Sequence, residues 1–488
     1  MNHPLRLMAC CVGALLLFAS LGHAADARPN ILFIVADDQG PWALGASGNK
    51  DALTPNMDRL AKEGMRFTHA FTPTPVCSPA RCSILTSRYG TELGITDWIN
   101  AKVEKGLGLD DKIVTWPALL QKAGYTTALF GKWHVGDLDE QHPTKRGYGT
   151  FFGFRDGGRP PRNPILEKGG MDQKFEGLIV DLVADEAQSW LRNHDNQKPF
   201  ALSIHFREPH AAYLPVRHED WAKVNDLDPE VPDGDLPGQR PEIVKRLLKE
   251  YLASVAGIDR NLGNILATLD ELKLSENTIV IYTSDHGYNI GHHGLQHKGN
   301  ARLITTKESW PAGTENVPAG NRPNMFDTSL HVPLLIRWPK VIRPGTVNTH
   351  TVSHLDWLPT LAEVAQAKIP EETKLHGQSI VPLWREESIS RSEDFYSEYS
   401  MKHGATTHMR CYRTPKWKLI RDFASSGRDE LYNLENDPGE RKNLLDDPSP
   451  DLQAHLRELD TKVLQKMKEL NDPALPLAIQ WQQKESPK

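Results

Sequence analysis

The sequence predicts an α/β fold, in which a doubly wound mixed sheet is followed by a smaller α+β domain. Four short apolar segments are each typical of a buried parallel strand. The intervals between them carry helix-like apolar spacing, which would cover the sheet. After Pro382 the pattern changes to short strands and a final amphipathic helix. The four strand segments are residues 31–36, 126–130, 200–206 and 278–282.

Polar side chains follow each of the four predicted strands at the point where the strand ends. Ligands of open α/β sheets bind outside the carboxyl ends of the strands, so we expect these side chains to converge despite their sequence separation. The residues concerned are Asp37, Asp38, Lys132, His134, His210, Asp285 and His286.

The helices are predicted from apolar positions three and four residues apart. Gly124 follows one of them and favours a helix stop, and the Pro- and Gly-rich residues 226–241 indicate a loop. We place a catalytic α/β domain at residues 25–385 and an α+β subdomain at residues 386–488. The predicted helices cover residues 57–63, 116–123, 179–192, 241–272 and 355–365, and the subdomain has strands at 394–399 and 417–421 and a helix at 452–470.

The composition restricts the class of protein. The chain has 488 residues, of which 39% are apolar and 25% charged, enough for one large core and a smaller domain. This is not the composition of a membrane, disordered or disulfide-scaffold protein. A formal charge of −6 argues against nucleic-acid binding, so an anionic substrate needs local positive charge.

The first 24 residues have the pattern of a secretory signal. Arg6 is followed by an apolar stretch and by Ala24, and the stretch is too short to span a bilayer. We therefore expect a periplasmic or secreted protein without stable membrane insertion. Lipid anchoring through Cys10 or Cys11 is a less favoured alternative. Cys82 and Cys411 are left as a pair that could form a disulfide, although a protein of this size does not need one.

The segment from Cys77 to Arg81 reads Cys-Ser-Pro-Ala-Arg. Ser78 suits an N-cap and Pro79 a first helical position, so the pattern predicts that Cys77 lies where a helix opens. Free backbone N–H groups at such a point bind anions. The segment by itself fits either a nucleophile in an anion site or an ordinary buried cysteine.

The Cys-x-Pro-x-Arg pattern resembles the modification signature of the type I sulfatases in the alkaline phosphatase superfamily. The resemblance implies an alkaline-phosphatase-like doubly wound mixed sheet. It also implies that Cys77 is oxidised to formylglycine by a formylglycine-generating or anaerobic sulfatase-maturating enzyme. One hydroxyl of the formylglycine diol would attack the sulfur of a sulfate ester, giving a covalent sulfo-enzyme, and the second would let that intermediate collapse.

Two further motifs extend the resemblance. Residues 131–136 read Gly-Lys-Trp-His-Val-Gly, which implies that Lys132 binds sulfate and that His134 takes a proton from the diol. His210 after Pro209 resembles the family histidine that binds sulfate beside the leaving oxygen. Lys298 lies in a His-Gly-x-x-x-Lys-Gly loop and would be a second sulfate clamp, and Arg81 would hold the diol. A zinc site from His292, His293 and His297 is the competing interpretation of that loop.

A metal site is predicted from the carboxylates Asp37, Asp38 and Asp285. Together with His286 and the modified Cys77 they form a mostly oxygen cage, which suits Ca²⁺, with Mg²⁺ or Mn²⁺ as alternatives. The family usually has Asn where this chain has His286. In this the chain resembles the iduronate sulfatases and the phosphonate monoester hydrolases.

These observations predict an exported sulfatase acting on a sulfated polysaccharide or oligosaccharide. Two alternatives remain open: a phosphonate monoester or phosphodiester hydrolase of the same superfamily, and a sulfated-glycan binding protein that has lost turnover.

Residues 301–323 are an insertion relative to the family pattern. Because the insertion follows Lys298 directly, we expect it to lie beside the sulfate pocket. Its Trp310 would stack on a sugar ring, and Arg302 and Arg322 would pair with further anionic groups. The alternative is a plain surface loop.

Overall fold

The computed structural model describes residues 28–485. The predicted signal segment, with Cys10 and Cys11, lies outside this range. The strands are β1 (Asn30–Asp37), β2 (Met65–Phe71), β3 (Thr126–Lys132), β4 (Thr150–Phe154), β5 (Ile165–Lys168), β6 (Met171–Lys174), β7 (Phe200–Pro209), β8 (Thr278–Ser284), β9 (Asn289–Ile290), β10 (Leu295–His297), β11 (Arg302–Leu303), β12 (Leu334–Arg337), β13 (Thr346–Ser353), β14 (Phe395–Tyr399), β15 (Met409–Arg413), β16 (Trp417–Asp422) and β17 (Glu430–Asn433). The helices are α1 (Pro55–Glu63), α2 (Cys77–Thr86), α3 (Gly90–Leu93), α4 (Trp116–Lys122), α5 (Ile179–Asn193), α6 (His218–Ala222), α7 (Pro241–Glu271), α8 (Asp327–Leu330), α9 (Trp357–Val364), α10 (Val381–Trp384), α11 (Pro450–Glu469) and α12 (Leu475–Glu485).

The large sheet is mixed, as predicted. Its strand order is β13-β2-β12-β8-β1-β7-β3-β4-β5-β6. The central strands β8, β1, β7, β3 and β4 are parallel, whereas β12, β5 and β6 pair antiparallel with their neighbours. All four strand segments predicted from apolar runs belong to the parallel centre, so their carboxyl ends share one edge of the sheet.

Both faces of the sheet are covered, which confirms the doubly wound architecture. Leu32 and Ile34 of β1 face a core that includes side chains of α1, α5 and α7. Ile31 and Phe33 face a second core that includes side chains of α2, α4 and α9. Because alternate residues of a strand point to opposite faces, a continuous apolar run is required here.

The predicted helices are present, with ends that differ by a few residues. The exception that matters is α2, which begins at Cys77 with Val76 as its N-cap rather than at Pro79 with Ser78 as the cap. The Ser78 hydroxyl instead accepts a hydrogen bond from the backbone N–H of Ile99, at 3.0 Å. Because the Ser78 side chain is engaged in this tertiary contact, it does not cap the helix as its local propensity predicted.

The C-terminal part is an antiparallel sheet of β14 to β17 with α11 packed against it. The second C-terminal helix, α12, was not predicted. The proposed domain boundary at residue 385 falls between α10 and β14 and stays a prediction. None of the helices within residues 28–485 has the length and apolar character needed to cross a bilayer. Cys82 and Cys411 are both buried free thiols, so they do not form a disulfide.

Candidate active site

The carboxyl edge of the parallel sheet brings most of the predicted residues together. Asp37 ends β1, Lys132 ends β3, and Asp285 directly follows β8. Cys77 opens α2 beside them, with its Sγ atom 3.8 Å from Asp37 Oδ1. Residues more than 200 positions apart in the chain thus meet because parallel strands end at one edge.

Two buried lysines lie on either side of the Cys77 thiol. Lys132 Nζ is 2.6 Å from Asp37 Oδ2, and Lys298 Nζ is 2.5 Å from Asp38 Oδ1 and 3.2 Å from Cys77 Sγ. Burial alone would raise the pKa of Cys77, but the two ammonium groups lower it to about 7. The site therefore stabilises negative charge at the Cys77 side chain.

The same charges set the protonation of the two neighbouring carboxyl groups. Burial would raise the pKa of Asp37, but the charge on Lys132, together with those on Arg81 and Lys298, holds it well below its usual range. Burial raises the pKa of Asp38 to about 6, and Lys298 offsets part of that effect.

Arg81 forms a buried ion pair with Asp285. Its Nε and Nη2 atoms lie 3.0 and 2.9 Å from Asp285 Oδ2, and its Nη1 donates to the Lys132 carbonyl at 3.2 Å. Burial would lower the pKa of the guanidinium, but Asp285 and Asp37 raise it, so Arg81 stays charged. Arg81 is not among the residues that line the cleft beside Cys77. Its contacts in this structure are with Asp285, with the end of β3 and with His205, whose Nδ1 lies 3.3 Å from Arg81 Nη1.

A cation fits the carboxylate cluster. Donor atoms of Asp37, Asp38, Cys77 and His286 lie within 4.8 Å of one another. His286 donates Nδ1–H to the Gly287 carbonyl at 2.9 Å, which leaves a lone pair on Nε2. That buried atom has no hydrogen-bond partner and lies 3.2 Å from Asp38 Oδ1 and 3.4 Å from Asp285 Oδ1. An imidazole lone pair facing two carboxylates is the arrangement expected around a metal ion.

His134 is held as a neutral imidazole. Its Nε2–H donates to the Ile99 carbonyl at 3.0 Å, and its buried Nδ1 has no partner. Burial and the charge on Lys132 lower its pKa to about 3. The preceding turn depends on Gly131, whose φ is 108° and where a Cβ would lie 1.9 Å from the His205 carbonyl oxygen. His134 thus presents a proton acceptor in a fixed orientation.

His210 lies at the rim of the site. It donates Nδ1–H to the Ala211 carbonyl at 2.7 Å, so that Nε2 carries the lone pair, 3.9 Å from Asp38 Oδ2. Burial and Lys298 hold its pKa well below the usual value. His210 is therefore neutral, and it can donate a proton from Nε2 only after taking one up.

A cleft of about 670 Å³ opens above Cys77. His134, His210 and Lys298 line its inner part. Its outer wall comes from two segments that were not singled out in the sequence. The outer residues include Trp98, Asn100, Lys102, Asp156 and Arg159. Asp156 and Arg159 follow the carboxyl end of β4, a parallel strand that was not predicted from the sequence. Trp98, Asn100 and Lys102 follow no strand, so no strand-end pattern could have identified them.

No residue of the insertion 301–323 lines this cleft, and the subsite proposed for Trp310, Arg302 and Arg322 stays a prediction. Arg322 forms an ion pair with Glu430 of the C-terminal sheet. Trp310 donates its indole N–H to the Thr305 carbonyl at 3.1 Å, and Arg302 is exposed in β11. The insertion packs on the C-terminal sheet because that sheet supplies the acidic partner for its arginine.

The alternative zinc site is absent from the part of the chain that the structure describes. His293 stacks on Phe326 with ring centroids 3.8 Å apart, and His297 Nδ1 lies 3.0 Å from the Tyr288 hydroxyl. His292 packs against Trp42. Within residues 28–485, the group of donor atoms that could hold a metal is the one at Asp37, Asp38, Cys77 and His286.

Comparison with known proteins places this site in a family. The sulfatase family model matches residues 29–367, and the model for the C-terminal part of N-sulphoglucosamine sulphohydrolase matches residues 321–470. The chain is 28% identical to an N-acetylglucosamine-6-O-sulfatase of Bacteroides thetaiotaomicron, over 86% of this chain and 83% of that protein. It is 26% identical to the steryl-sulfatase of Mus musculus, over 91% and 83% respectively.

The fold also matches a solved structure, that of a protein in complex with its substrate D-glucosamine-2-N,6-O-disulfate. The TM-score is 0.77 at 23% identity, covering 91% of this chain and 99% of the other. The family model covers more than half of the chain, and its match includes both Cys77 and the carboxylate cluster. The chain therefore belongs to the type I sulfatase family of the alkaline phosphatase superfamily and is a sulfuric ester hydrolase.

Proposed function

We propose that this chain is an exported enzyme that hydrolyses sulfate esters of a glycan, using a formylglycine made from Cys77. The observation that carries the proposal is the position of Cys77. Its side chain opens a helix, faces the cleft, and lies beside two buried lysines and a cluster of carboxylates.

Formylglycine would supply a hydrated aldehyde whose hydroxyl attacks sulfur, which a thiol at the same position does not offer. The residues that would hold Ca²⁺ are Asp37, Asp38, Asp285 and His286, with position 77 as the fifth. Ca²⁺ would supply positive charge next to the sulfate oxygens. Mg²⁺ and Mn²⁺ remain alternatives, because carboxylate oxygens suit all three cations.

Side chains of this chain would bind the sulfate and transfer the protons. Lys132 and Lys298 would bind the sulfate oxygens and stabilise the charge that grows as the S–O bond to the sugar breaks. His134 would accept a proton at Nδ1, the atom that the contact with Ile99 leaves free. His210 would lie beside the leaving oxygen at the cleft rim. Arg81 would hold the Asp285 carboxylate in place.

The proposal of a sugar substrate rests on the polar side chains of the cleft wall and on Trp98. The two relatives act on different classes of compound according to their names, at similar identity to this chain, so their names do not decide the substrate. The polar residues of the cleft lining can hydrogen-bond to sugar hydroxyls; they are Asn100, Lys102, Asp156, Arg159 and Asn300. Polar groups around an aromatic ring are typical of a carbohydrate site.

The proposal is tested by mass spectrometry and sulfate release. Enzyme co-expressed with a sulfatase-maturating enzyme should yield a Cys77 peptide with the mass of formylglycine, and should release sulfate from an aryl sulfate and from a sulfated glycan. Cys77→Ala should still bind Ca²⁺ but release no sulfate, while Cys82→Ala, as a matched control, should stay active. Active enzyme carrying only unmodified Cys77 would refute the mechanism.

The same preparation discriminates between the alternatives. Faster turnover of an aryl phosphate diester than of an aryl sulfate would instead identify a phosphodiester hydrolase. Binding of the sulfated glycan without sulfate release would identify a binding protein. Export is tested separately, by sequencing the N-terminus of the protein recovered from the periplasm or medium, where we expect cleavage after Ala24.

A further inference from the structure

The cleft is larger than a sulfate group requires. Its volume of about 670 Å³ lies within the range of pockets that hold a complete small ligand, about 300–1,000 Å³. The inner part, at Cys77, Lys298 and His134, accounts for the sulfate. The outer wall, formed by residues 98–102 and 156–159, faces the part of the substrate that carries it.

The outer wall carries a positive charge without a partner. Lys102 is exposed, and its Nζ makes no hydrogen bond or ion pair with any residue in the described range 28–485. Arg159, in contrast, is paired with Asp156 and donates Nε–H to the Ile165 carbonyl at 3.1 Å. An exposed ammonium in the cleft wall without a carboxylate partner is free to pair with a negative charge on a ligand.

An aromatic ring of the same segment also lines the cleft and is held in position. Trp98 packs on His403 of the C-terminal part, with ring centroids 4.4 Å apart. The His403 N–H donates to Asp97 Oδ2, and its Nε2 lies 3.1 Å from Glu104 Oε2, an atom that also accepts the Asn100 N–H at 3.0 Å. Contacts with His403 thus brace the segment from Asp97 to Glu104 at both ends.

The insertion at residues 301–323 supports this brace from behind. Asn321 Nδ2 donates to the Gly404 carbonyl at 3.1 Å, and the Thr406 N–H donates to the Asn316 carbonyl at 2.8 Å. The turn that carries His403 is therefore fixed by the insertion. The insertion reaches the cleft through Trp98 rather than through its own side chains.

We propose that Trp98 and Lys102 form a subsite that selects sugars carrying a second anionic group beside the sulfate ester to be hydrolysed. Trp98 would stack on the sugar ring, and Lys102 would pair with the second group. A carboxylate and a second sulfate are both oxyanions that an ammonium binds, so the subsite accepts either. This inference rests on the proposed function, because it assumes that Cys77 and Lys298 hold the reacting sulfate.

Competition against the hydrolysis of 4-nitrophenyl sulfate tests the subsite without knowing which sugar position is cleaved. The competitors are a monosulfated N-acetylglucosamine, an N,6-O-disulfated glucosamine, and a monosulfated disaccharide that contains a uronic acid. We expect the two doubly charged sugars to have inhibition constants at least about tenfold lower than the monosulfated one. Lys102→Met should abolish that difference. Lys105→Met, an exposed lysine of the same segment that does not line the cleft, should retain it.

The outcomes separate the inference from the proposed function. Equal inhibition constants for singly and doubly charged sugars, or an unchanged difference in Lys102→Met, would overturn the subsite while sulfatase activity stands. If only the disulfated sugar binds more tightly, the second group is a sulfate, and if only the uronic acid sugar does, it is a carboxylate. A formylglycine-bearing enzyme that does not hydrolyse the aryl sulfate would overturn both.

His403 acts in this scheme as a positioning residue. His403→Ala should raise the inhibition constants of all three sugars, because Trp98 loses the ring that holds it. His403→Phe should restore them, since it keeps an aromatic ring against Trp98. Unchanged constants in His403→Ala would remove Trp98 from the subsite.

Discussion

Lys132 and Lys298 are the side chains on which the charge of the site depends most directly. Both are buried, each contacts a carboxylate, and Lys298 also contacts Cys77 Sγ. The two lysines and Arg81 balance the three carboxylates Asp37, Asp38 and Asp285. A cation held by those carboxylates would leave the ammonium groups as an excess of positive charge around Cys77. Lys298, which lines the cleft, would then face an incoming sulfate.

Removing either lysine should therefore impair turnover more than folding. We expect Lys132→Met and Lys298→Met each to lower kcat for an aryl sulfate by about 10²- to 10³-fold, as the loss of a preorganised charge does. Lys307→Met, an exposed lysine of the nearby insertion, is the matched control and should keep full activity. Thermal melts in the presence of Ca²⁺ check that the variants fold. Full turnover in a folded Lys298→Met enzyme would show that Lys298 does not bind sulfate.

The insertion at residues 301–323 acts as an element that joins the two parts of the molecule. Arg322 pairs with the nearly buried Glu430, and Arg428 donates Nη2–H to the Pro323 carbonyl at 2.9 Å. The side chain of Asn316 donates to the Ala424 carbonyl at 2.6 Å. All of these contacts are with the C-terminal sheet or its loops, so the element's own arginine contributes to stability rather than to the cleft.

The structure predicts that Arg322→Ala affects stability and not substrate preference. The change would leave the Glu430 carboxylate with little compensation in a buried place, at a cost of about 1–3 kcal/mol. The thermal midpoint should fall, while the ratio of kcat/KM for a sulfated glycan over an aryl sulfate stays unchanged. Adding Glu430→Gln should recover most of the lost stability. A selective loss of glycan turnover would return Arg322 to the substrate site.

The two parts of the whole molecule also meet at Glu398 of the C-terminal sheet. Its Oε1 accepts the N–H of Thr91 at 2.7 Å, and its own N–H donates to the Pro73 carbonyl at 2.9 Å. Its Oε2 is buried without a partner. Burial raises the pKa of Glu398 to about 7, an effect that the charge on Arg410 offsets only in part. This carboxyl group therefore links the stability of the molecule to pH.

The contribution of Glu398 to stability decreases as the pH rises. Between the ordinary pKa of a glutamate and about 7, the folded state binds a proton that the unfolded state has lost. The contribution of Glu398 to stability is thus fully present below about pH 4.5 and declines as the pH rises to 7. Glu398→Gln should raise the free energy of unfolding at pH 8 by roughly 1–3 kcal/mol and flatten this part of the curve. Denaturant melts from pH 4.5 to 8 measure it, with exposed Glu387→Gln as control, and identical curves for wild type and Glu398→Gln would contradict the assignment.

The sequence was sufficient to predict four strands of the parallel centre and the polar side chains that meet at their carboxyl ends. Continuous apolar runs can be accommodated only in strands covered on both faces, and β1, β3, β7 and β8 lie where those runs predicted. Since these strands are parallel, the polar residues after them had to meet at one edge. The motif around Cys77 and the one around Lys132 were sufficient to indicate the family.

Only the tertiary structure decided the features that depend on partners far away in the chain. The Ser78 hydroxyl does not cap α2 as predicted, because it accepts a hydrogen bond from the Ile99 N–H. Arg322 forms an ion pair with Glu430 and does not line the cleft. Trp98 and Lys102 follow no periodic pattern, and their place in the cleft wall depends on His403, some 300 residues later. Local sequence patterns indicate which strands are buried on both faces and which motifs are present. The wall that faces the substrate is set by long-range packing and charge pairing, which no local pattern in the sequence specifies.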